Sequence, residues 1–532
     1  MRIPHTSLNL SSIARPQSMF SIISRRPCMV HGSPPLYNQV QRRKLLTLAI
    51  ETSCDDTCVA VLRKARRGTA KLLYHKKITS DNREFGGVHP AKAVIGHSQA
   101  LGPAVLDAVR NGLHGQAPDF VTVTRGPGMN QNLAVGLNTA KGLSAAWDIP
   151  MLGVNHMQAH ALTPRLITAL DRYLPGSSRA YLTESQNGVQ NVGHPEGEEG
   201  LGLPQDDSLT IMEAQKKGQV EEVPNAPTFP YLSLLVSGGH TMLVISESVA
   251  THRILAPNLS GLAIGDMLDK AARVLVPQDI LDHSPDTNYA AILESFAFPD
   301  KDAGYGYEPP ATRADEIAPL PVEAPGEGVI ATLTPPLAGT RRLAYDFAGL
   351  GTQIRHRVEE VLLKYGVKPP SDATKSDLSP DTTEASKTRI LDARRALARA
   401  TMRLAFEHLA SRILFVLAGD ENLNPATRAI LPDIKTLVVS GGVARNKYLG
   451  HILRSTLDAR GYGHIDISTP PPPFCTDNAA MIAWCGVEMW EEGWRSGMGV
   501  LPLKKWPIDP AEDGGILGAD GWVRRVKKEE SS

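Results

Sequence analysis

The chain is poor in the features that mark several specialised classes of protein. Aromatic residues account for only 5% of its 532 residues, and cysteine occurs five times, at scattered positions. Cysteines this few and this widely spaced do not make the disulfide framework of a small secreted domain. No apolar run approaches the roughly 18 residues of a membrane-spanning helix. The composition, 42% hydrophobic and 21% charged, is that of a globular protein with room for roughly two to four domains.

Acidic residues are missing from the N-terminal segment. No Asp or Glu precedes Glu51, whereas basic residues and serines recur through residues 1–44. This composition predicts a mitochondrial transit peptide over residues 1–44, with a disordered basic tail as the alternative. Net charge is also absent, since 56 basic residues balance 56 acidic ones. Without the leader the chain has an excess of acidic residues, so a nucleic-acid partner would have to bind a local basic patch.

What the sequence does contain is an alternation of strand and helix signals. Two apolar runs between residues 45 and 62 flank a polar turn, which predicts a hairpin. Cys54 and Cys58 in this hairpin are interpreted as small thiols rather than metal ligands. A buried strand at 119–124 leads through a glycine-containing turn into a helix at 132–147. This alternation predicts an α/β fold.

Several segments interrupt the alternation. Residues 176–230 are predicted to be a disordered, low-complexity insertion, irregular insertions are predicted near 277–336 and 368–387, and residues 504–532 are predicted to be a polar tail. A long helix is predicted at 388–417. One of its faces is basic, which we interpret as a candidate surface for phosphate-backbone contacts, with ordinary solvated surface as the alternative. The basic residues are Arg389, Arg394, Arg395, Arg399 and Arg403.

Two histidines four positions apart, His156 and His160, lie at the start of another predicted helix. This spacing places both imidazoles on one helical face, one turn apart, where they can bind a single divalent metal. Two histidines that share a face by chance are the alternative. The zinc-peptidase motif has a Glu directly after its first histidine as general base, and Met157 stands at that position here. A metallopeptidase is therefore disfavoured.

Two predicted strands end in a Ser-Gly-Gly turn, one at Ser237 and one at Ser440. Consecutive glycines let backbone amides approach a phosphate closely. Asp269 lies one turn inside a helix that Asp266 can cap, so Asp269 is the better ligand candidate of the two. Asp477 begins a further helix, and the spacing leaves open whether it is an N-cap or a third ligand beside the two histidines.

Six motifs in this order resemble the tRNA N6-adenosine threonylcarbamoyltransferases, a family of the actin-like ATPase superfamily whose members were once labelled glycoproteases. They are IETSCDDT at 50–57, NHMQAH at 155–160, LVSGGHT at 235–241, LDK at 268–270, SGGVARN at 440–446 and CTDNAAM at 475–481. The motifs span nearly the whole chain outside the leader and the insertions. With the leader, the mitochondrial branch of the family is the closest fit.

The resemblance implies two actin-like (ASKHA) lobes with a nucleotide cleft between them, one from residues 45–175 with 470–503 and the other from residues 231–469. It implies an acyltransferase that passes the threonylcarbamoyl group from threonylcarbamoyl-adenylate to N6 of the adenosine 3′ to the anticodon, in tRNAs that read codons beginning with A. The expected partners are tRNA, a separate synthase that supplies threonylcarbamoyl-adenylate, and a second copy in a homodimer. The expected location is the mitochondrial matrix, without membrane insertion.

Position by position, the resemblance implies that His156, His160 and Asp477 bind one divalent metal cation per subunit, such as Fe or Zn. It also implies catalytic roles for the two histidines and for Asp55, near the phosphate. The other implied substrate contacts are a loop over the phosphate region and two residues at the nucleotide. They are Leu235, Val236, Ser237, Gly238 and Gly239 in the loop, with Asp269 and Asn446 at the nucleotide.

Three segments depart from the family pattern. VPQDI at 276–280 stands where the family commonly has Tyr-Pro-Gly-Gly-Pro, which removes a glycine contact to the nucleoside. PAKAVI at 90–95 and FAGLGT at 347–352 replace Pro-Glu-x-Ala-Ser-Arg and Phe-Ser-Gly-Leu-Lys-Thr. The rival interpretations are an actin-like small-molecule kinase, a catalytically idle scaffold and the metallopeptidase of the older label. A metal site with two histidines is unusual for the kinase, because Mg²⁺ prefers oxygen ligands.

Overall fold

A computed structural model of the protein describes residues 44–65, 68–82, 88–173, 225–283, 289–300, 304–367 and 383–525. The predicted transit peptide, except for its last residue, lies outside these ranges. So do most of the predicted insertion at 176–230 and most of the one at 368–387. Among the described residues, every helix is too short or too polar to span a lipid bilayer.

The first sheet has seven strands, in the order β14-β13-β5-β4-β1-β2-β3. They are β1 (Leu45–Glu51), β2 (Asp56–Lys64), β3 (Ala70–Thr79), β4 (Phe120–Gly126), β5 (Met151–Asn155), β13 (Trp494–Ser496) and β14 (Trp522–Arg524). β1, β2 and β3 form an antiparallel meander, which confirms the predicted hairpin, and β4 and β5 continue the sheet in parallel with β1. Alternate residues of β1 face opposite sides of the sheet and both sets are apolar, so both faces are covered.

The second sheet repeats this connectivity. Its order is β12-β11-β6-β7-β8, from β6 (Tyr231–Val236), β7 (Thr241–Ser246), β8 (His252–Ala256), β11 (Thr436–Ser440) and β12 (Asp466–Ser468). β6, β7 and β8 form an antiparallel meander, and β11 and β12 add in parallel beside β6. A meander of three strands followed by two parallel strands therefore occurs twice in one chain. The α/β fold with two actin-like halves is confirmed by this duplication.

Helices cover both sheets. They are α1 (Pro90–Asp107), α2 (Asn130–Trp147), α3 (His156–Tyr173), α4 (Ile264–Leu275), α5 (Gln278–Asp282), α6 (Tyr289–Ala297), α7 (Arg313–Ile317), α8 (Ala348–Lys364), α9 (Glu384–Leu417), α10 (Pro425–Ile430), α11 (Lys447–Ala459), α12 (Pro472–Cys475) and α13 (Ala479–Glu491). α3 contacts β3 and β5 of the first sheet and also β6 and β11 of the second. The helix that carries the two histidines thus lies between the sheets.

Two segments contain regular structure that the sequence did not predict, the insertion near 277–336 and the tail at 504–532. Within 277–336 the chain forms α5, α6 and α7 and then an antiparallel hairpin of β9 (Leu320–Ala324) and β10 (Gly328–Leu333). The predicted polar tail is wrong for residues 504–525, because Trp506, Ile508 and Ile516 are buried and β14 joins the first sheet. These segments pack through contacts with distant parts of the chain, which local composition does not encode.

The long helix α9 begins at Glu384, within the stretch predicted to be an irregular insertion, and its basic face is not a free surface. Arg394 is buried, and Arg399 donates to the carbonyl oxygen of Ala297 at 3.0 Å. Arg403 pairs with Glu407 at 3.0 Å. Arg389 and Arg395 also have acidic partners, Glu327 at 3.4 Å and Asp392 at 3.7 Å. Most of the arginines in the surface proposed for phosphate contacts are therefore occupied by contacts within the fold.

His252, at the start of β8, makes the stability of the second sheet sensitive to acid. Its ring is fully buried, with Nδ1 3.0 Å from the Ser246 hydroxyl and Nε2 2.9 Å from the Val249 carbonyl oxygen. Burial lowers the pKa of His252 to about 4, against about 6.5 in an unfolded chain. The unfolded state therefore binds the extra proton first, and stability present above pH 6.5 is lost as the pH falls towards 4.

Between pH 7 and pH 5, we expect the free energy of unfolding of the His252→Gln variant to fall by about 2 kcal/mol less than that of the wild type. The reason is that the substitution removes the proton uptake on unfolding. Urea unfolding at the two pH values measures the difference. His464→Gln, a substitution of an exposed histidine, serves as the control and should leave the pH dependence as it is. Equal losses in wild type and His252→Gln would contradict the prediction.

Candidate metal centre

The two histidines are placed by the junction of β5 and α3. Strand β5 ends at Asn155 and helix α3 begins at the next residue. The side-chain oxygen of Asn155 accepts hydrogen bonds from the backbone N–H of Met157 at 2.9 Å and of Gln158 at 3.1 Å. This cap fixes the first turn of the helix. His156 and His160 consequently lie one turn apart on one face, both buried, with their ring centroids 4.7 Å apart.

Asp477 reaches the same place from the other end of the chain. It lies between α12 and α13, where Asn478 caps α13 by accepting from the N–H of Met481 at 2.9 Å. The Asp477 Oδ1 atom is 3.4 Å from His156 Nε2 and 3.1 Å from His160 Nε2. All three potential ligand atoms lie within 4.8 Å of one another. The structure therefore brings the predicted trio together, and Asn478, not Asp477, is the N-cap.

The distances from the Asp477 carboxylate to the two imidazoles are those expected for ligands of a shared metal ion. Two ligand atoms that are each about 2.1 Å from one ion lie roughly 3.0–3.4 Å apart at octahedral or tetrahedral angles. The Asp477–His160 and Asp477–His156 separations of 3.1 and 3.4 Å are within that range. Two imidazole nitrogens and one carboxylate oxygen form a donor set suited to ions such as Zn²⁺ and Fe²⁺ rather than Mg²⁺.

Glu51, at the end of β1, contacts the Nδ1 side of the His156 ring, whereas Asp477 lies on the Nε2 side. Its fully buried carboxylate is 3.3 Å from His156 Nδ1 and accepts from the backbone N–H of Ser53 at 2.5 Å and from the Thr124 hydroxyl. Burial alone would lower the pKa of His156, but the charges of Asp477 and Glu51 outweigh it and raise that pKa to about 10. The two carboxylates thus create a negative potential that favours a cation between the side chains.

We expect Glu51→Gln to weaken metal binding by about 10- to 100-fold, because an outer carboxylate that receives the second ring N–H of a histidine ligand orients that ring and increases its basicity. Competition with a chromophoric chelator measures the affinity. Thr47→Val is the matched control. It removes a buried hydroxyl from the same strand, one that donates to the Phe120 carbonyl oxygen at 3.0 Å, away from the trio. An unchanged metal affinity in Glu51→Gln would refute this role.

Met157, at the position where a zinc peptidase has its general base, lies among apolar side chains. Met157 is 4% exposed and packs with Leu235, Val244 and Ile508. A thioether in an apolar cluster cannot act as a general base. The structure therefore agrees with the sequence in disfavouring a metallopeptidase.

The first Ser-Gly-Gly turn connects β6 to β7. Leu235 and Val236 are buried at the end of β6, and the Ser237 hydroxyl accepts from the N–H groups of Gly239 at 3.3 Å and His240 at 3.1 Å. Side-chain atoms added at Gly238 or Gly239 would meet nothing within 4 Å. The loop is thus held in shape by Ser237, and its two glycines border open space that a ligand can approach.

His240 links this turn to the histidine pair, and it was not among the predicted site residues. Burial, followed by the charges of His156 and His160, lowers the pKa of His240 to about 4. Its ring therefore lies within electrostatic reach of the trio. Leu235, which precedes the loop, and Met157, which follows His156, belong to one buried cluster, so the glycine loop lies near the candidate metal centre. The signal available in the sequence was a histidine directly after the Ser-Gly-Gly turn.

The second Ser-Gly-Gly turn lies beside the first, because β11 pairs in parallel with β6 and Ser440 is opposite Leu235. The Asn446 side chain caps α11 by accepting from the N–H of Leu449 at 3.0 Å, and the residue is 8% exposed. The side chain of Asp269 on α4 accepts from the N–H of Ala290 at 2.9 Å. Both predicted nucleotide contacts therefore have structural partners within the second half of the chain.

Asp55 lies in the turn between β1 and β2, where its carboxylate accepts from the Asn82 side chain at 3.3 Å. It is not one of the three clustered ligands. Its neighbour Asp56 pairs with Lys77, and the Lys77 ammonium also donates to the backbone oxygen of Asp477 at 3.4 Å. This Asp56–Lys77 pair ties the hairpin to the loop that carries the third ligand. Sequence inspection gave no sign of it, since the two residues lie 21 positions apart.

Comparison with known proteins decides the family. The model of the tRNA N6-adenosine threonylcarbamoyltransferase family matches residues 72–177 and 212–484, a span that contains His156, His160 and Asp477. A curated relative, the mitochondrial tRNA N6-adenosine threonylcarbamoyltransferase of Schizosaccharomyces pombe, is 30% identical over 502 residues that cover 91% of each chain. The chain belongs to the tRNA N6-adenosine threonylcarbamoyltransferase family. It is thus a transferase of the tRNA-modifying class.

More distant relatives agree with this assignment. The tRNA N6-adenosine threonylcarbamoyltransferase of Bartonella henselae is 28% identical over 467 residues, covering 87% of this chain and 95% of its own. Among solved structures, HypF from T. kodakarensis aligns with a TM-score of 0.34 at 12% identity, covering 85% of this chain and 48% of its own. That structural likeness is too low to support an argument. The tRNA N6-adenosine threonylcarbamoyltransferase assignment therefore comes from sequence.

Proposed function

We propose that the protein transfers the threonylcarbamoyl group from threonylcarbamoyl-adenylate to N6 of the adenosine 3′ to the anticodon, in mitochondrial tRNAs that read codons beginning with A. The observation that supports this most directly is the convergence of His156, His160 and Asp477 within 4.8 Å of one another, at a site that the Ser237 loop also borders. Membership of the family supplies the reaction class. The location follows the mitochondrial relative in Schizosaccharomyces pombe and the composition of residues 1–44.

In this proposal the Nε2 atoms of His156 and His160 and the Asp477 carboxylate would hold the metal. A divalent ion there would polarise the mixed anhydride and stabilise the negative charge of the departing adenylate. Glu51 keeps the His156 ring oriented through Nδ1, so that Nε2 faces Asp477. The Asp56–Lys77 pair holds the Asp477 loop against the hairpin.

The glycine loop would hold the phosphate region of the donor. Its shape is set before substrate arrives, because Ser237 Oγ accepts two backbone N–H groups and its carbonyl oxygen accepts the N–H of Gly265 at 3.1 Å. A preformed loop of this kind positions the acyl group against adenine N6 at little entropic cost during reaction. Positioning matters here because an exocyclic adenine amine is a weak nucleophile.

We further propose the mitochondrial matrix as the site of action, a separate synthase as the source of threonylcarbamoyl-adenylate, and a homodimer as the working form. The matrix follows from a leader of transit-peptide composition. A separate synthase is proposed because the donor is an activated acyl-adenylate, whose formation consumes ATP and is a different reaction from the transfer.

The direct test incubates the purified protein with threonylcarbamoyl-adenylate, an unmodified tRNA that reads codons beginning with A, and Zn²⁺ or Fe²⁺ in turn. Nucleoside digestion and mass spectrometry measure the modified adenosine. We expect threonylcarbamoyladenosine in the tRNA, and none when the metal is removed by a chelator before the donor is added.

A parallel reaction with ATP in place of the donor serves as the control for the kinase interpretation. No modified adenosine under any metal condition would overturn the transferase proposal. ATP-dependent phosphorylation of a small acceptor would support the actin-like kinase in its place.

A further inference from the structure

A concave site lies on the second half of the chain, and its lining includes none of His156, His160 and Asp477. It is a cavity of about 580 Å³ at the edge strand β8 of the second sheet. Strand β8 supplies one wall, the segment 340–343 another and residues 422–427 the third. Two consecutive arginines, Arg341 and Arg342, line it together with the polar side chains of Thr340, Asn422, Asn424 and Thr427. The lining is thus basic and rich in hydrogen-bonding groups.

The segment that carries the two arginines is fixed by hydrogen bonds to its backbone from two other arginines. The Arg313 guanidinium donates to the carbonyl oxygens of Ala338 and Thr340, each at 3.2 Å. The buried Arg412 donates to the carbonyl oxygens of Ala344 at 3.3 Å and Leu337 at 3.4 Å. Both ends of the segment are therefore fixed. A fixed backbone reduces the entropy lost when an arginine side chain binds a partner.

The positive charge of this site is only partly compensated. Arg341 pairs with Asp420 at 2.9 Å, yet 59% of its side chain stays exposed. Arg342 is exposed, and within the described part of the chain its guanidinium has neither an ion-pair nor a hydrogen-bond partner. Arg412 behind them forms hydrogen bonds to carbonyl and hydroxyl oxygens. The cavity therefore presents the Arg342 guanidinium to solvent with no compensating partner among the described residues.

This arrangement matters because the protein must bind tRNA without a net positive charge. Basic and acidic residues are equal in number over the whole sequence, so binding requires a local patch. The arginine face of α9 is largely occupied by contacts within the fold. Guanidinium groups match phosphate geometry with paired N–H donors.

We propose that phosphodiester groups of the tRNA backbone bind in the cavity at Arg341 and Arg342, as an anchoring contact away from the reacting adenosine. This inference rests on the proposed function, since it assumes a tRNA substrate. The contact is to phosphate and thus independent of sequence, and it sets affinity and orientation rather than the chemistry.

The test uses Arg342→Glu, because the Arg342 side chain has no polar partner in the described part of the chain whose removal would disturb the fold. Binding of unmodified tRNA is measured at several KCl concentrations. We expect roughly tenfold weaker binding at low salt, and a smaller salt dependence, by roughly 0.7–0.9 in the slope of log K against log[salt] for each phosphate group that no longer binds. Metal content should match the wild type, and the tRNA concentration for half-maximal transfer should rise.

Arg355→Glu is the matched control. Arg355 is exposed on α8 and does not line the cavity, so its reversal should weaken binding much less. Equal tRNA affinity in the two variants, with normal transfer by the wild type, would overturn this inference and leave the proposed function standing. Weaker binding of inorganic phosphate alone, with tRNA binding intact, would overturn it as well. If the wild type bound tRNA more tightly than Arg342→Glu but never modified it, the proposed function would be overturned and this inference would stand.

Discussion

Asp477→Ala is expected to release the bound metal and to reduce threonylcarbamoyl transfer by at least about 10³-fold, because the ion would lose its only carboxylate among three protein ligands. The fold should persist. The Asp477 side chain is 22% exposed, and its described contacts are with the two imidazoles. Metal analysis of protein purified without chelator, the transfer assay and the circular dichroism spectrum together measure the three effects. His156→Ala should behave in the same way.

Two further variants make this result interpretable. Asp477→Asn keeps the size of the side chain and removes its charge, so weaker metal binding in this variant assigns the effect to the carboxylate. Asp458→Ala removes a carboxylate that is 54% exposed on α11 and pairs with Arg454. It should leave metal and transfer intact. Full metal content and activity in both Asp477→Ala and His156→Ala would show that the trio is not the working site.

The trio also shows which part of a site a sequence reveals. The four-residue spacing of His156 and His160 is local, and helical periodicity alone places both rings on one face. Asp477 is 317 positions from His160, so no local pattern connects them. The resemblance to a family made that connection, and the folded chain places the three atoms together.

Glu51 and His240 were missed for different reasons. A carboxylate at the end of an apolar strand is expensive to bury unless it is paired, so Glu51 carried a usable signal. Its partner, His156, is 105 positions away. His240 was overlooked because the glycines before it drew the interpretation towards the backbone. Its position beside the histidine pair depends on how the second sheet meets α3.

The errors in the fold have a common cause, which is packing decided by distant contacts. Trp506, Ile508 and Ile516 lie in a stretch rich in proline, glycine and charged residues and show no period, yet they are buried against the rest of the chain. Strands β9 and β10 are short, and Pro321 weakens the strand signal. On α9 the buried residues occur around the helix and include Arg394, so a single basic face was the wrong description.

Gly441→Ala is expected to have the second large effect, on stability and activity together. Gly441 has a φ of 106°, and a Cβ atom there would lie 2.3 Å from the carbonyl oxygen of Val236. An alanine would have to adopt a strained backbone and push the end of β6 away, at a cost of roughly 2–5 kcal/mol. Because Val236 leads into the Ser237 loop, transfer should fall about tenfold or more. Chemical unfolding and the transfer assay measure the two changes.

Gly442→Ala separates backbone strain from the mere addition of a methyl group. Gly442 lies outside the left-handed region, and the nearest atom to an added Cβ is Thr476 Cγ2 at 3.9 Å. Its substitution should change the free energy of unfolding by no more than about 0.5 kcal/mol. If both variants were equally stable and the loop still supported transfer in Gly441→Ala, the close approach of the two Ser-Gly-Gly turns would not be needed to shape the site. A large difference between these neighbouring glycines would instead show that the turn at Ser440 holds the turn at Ser237 in place.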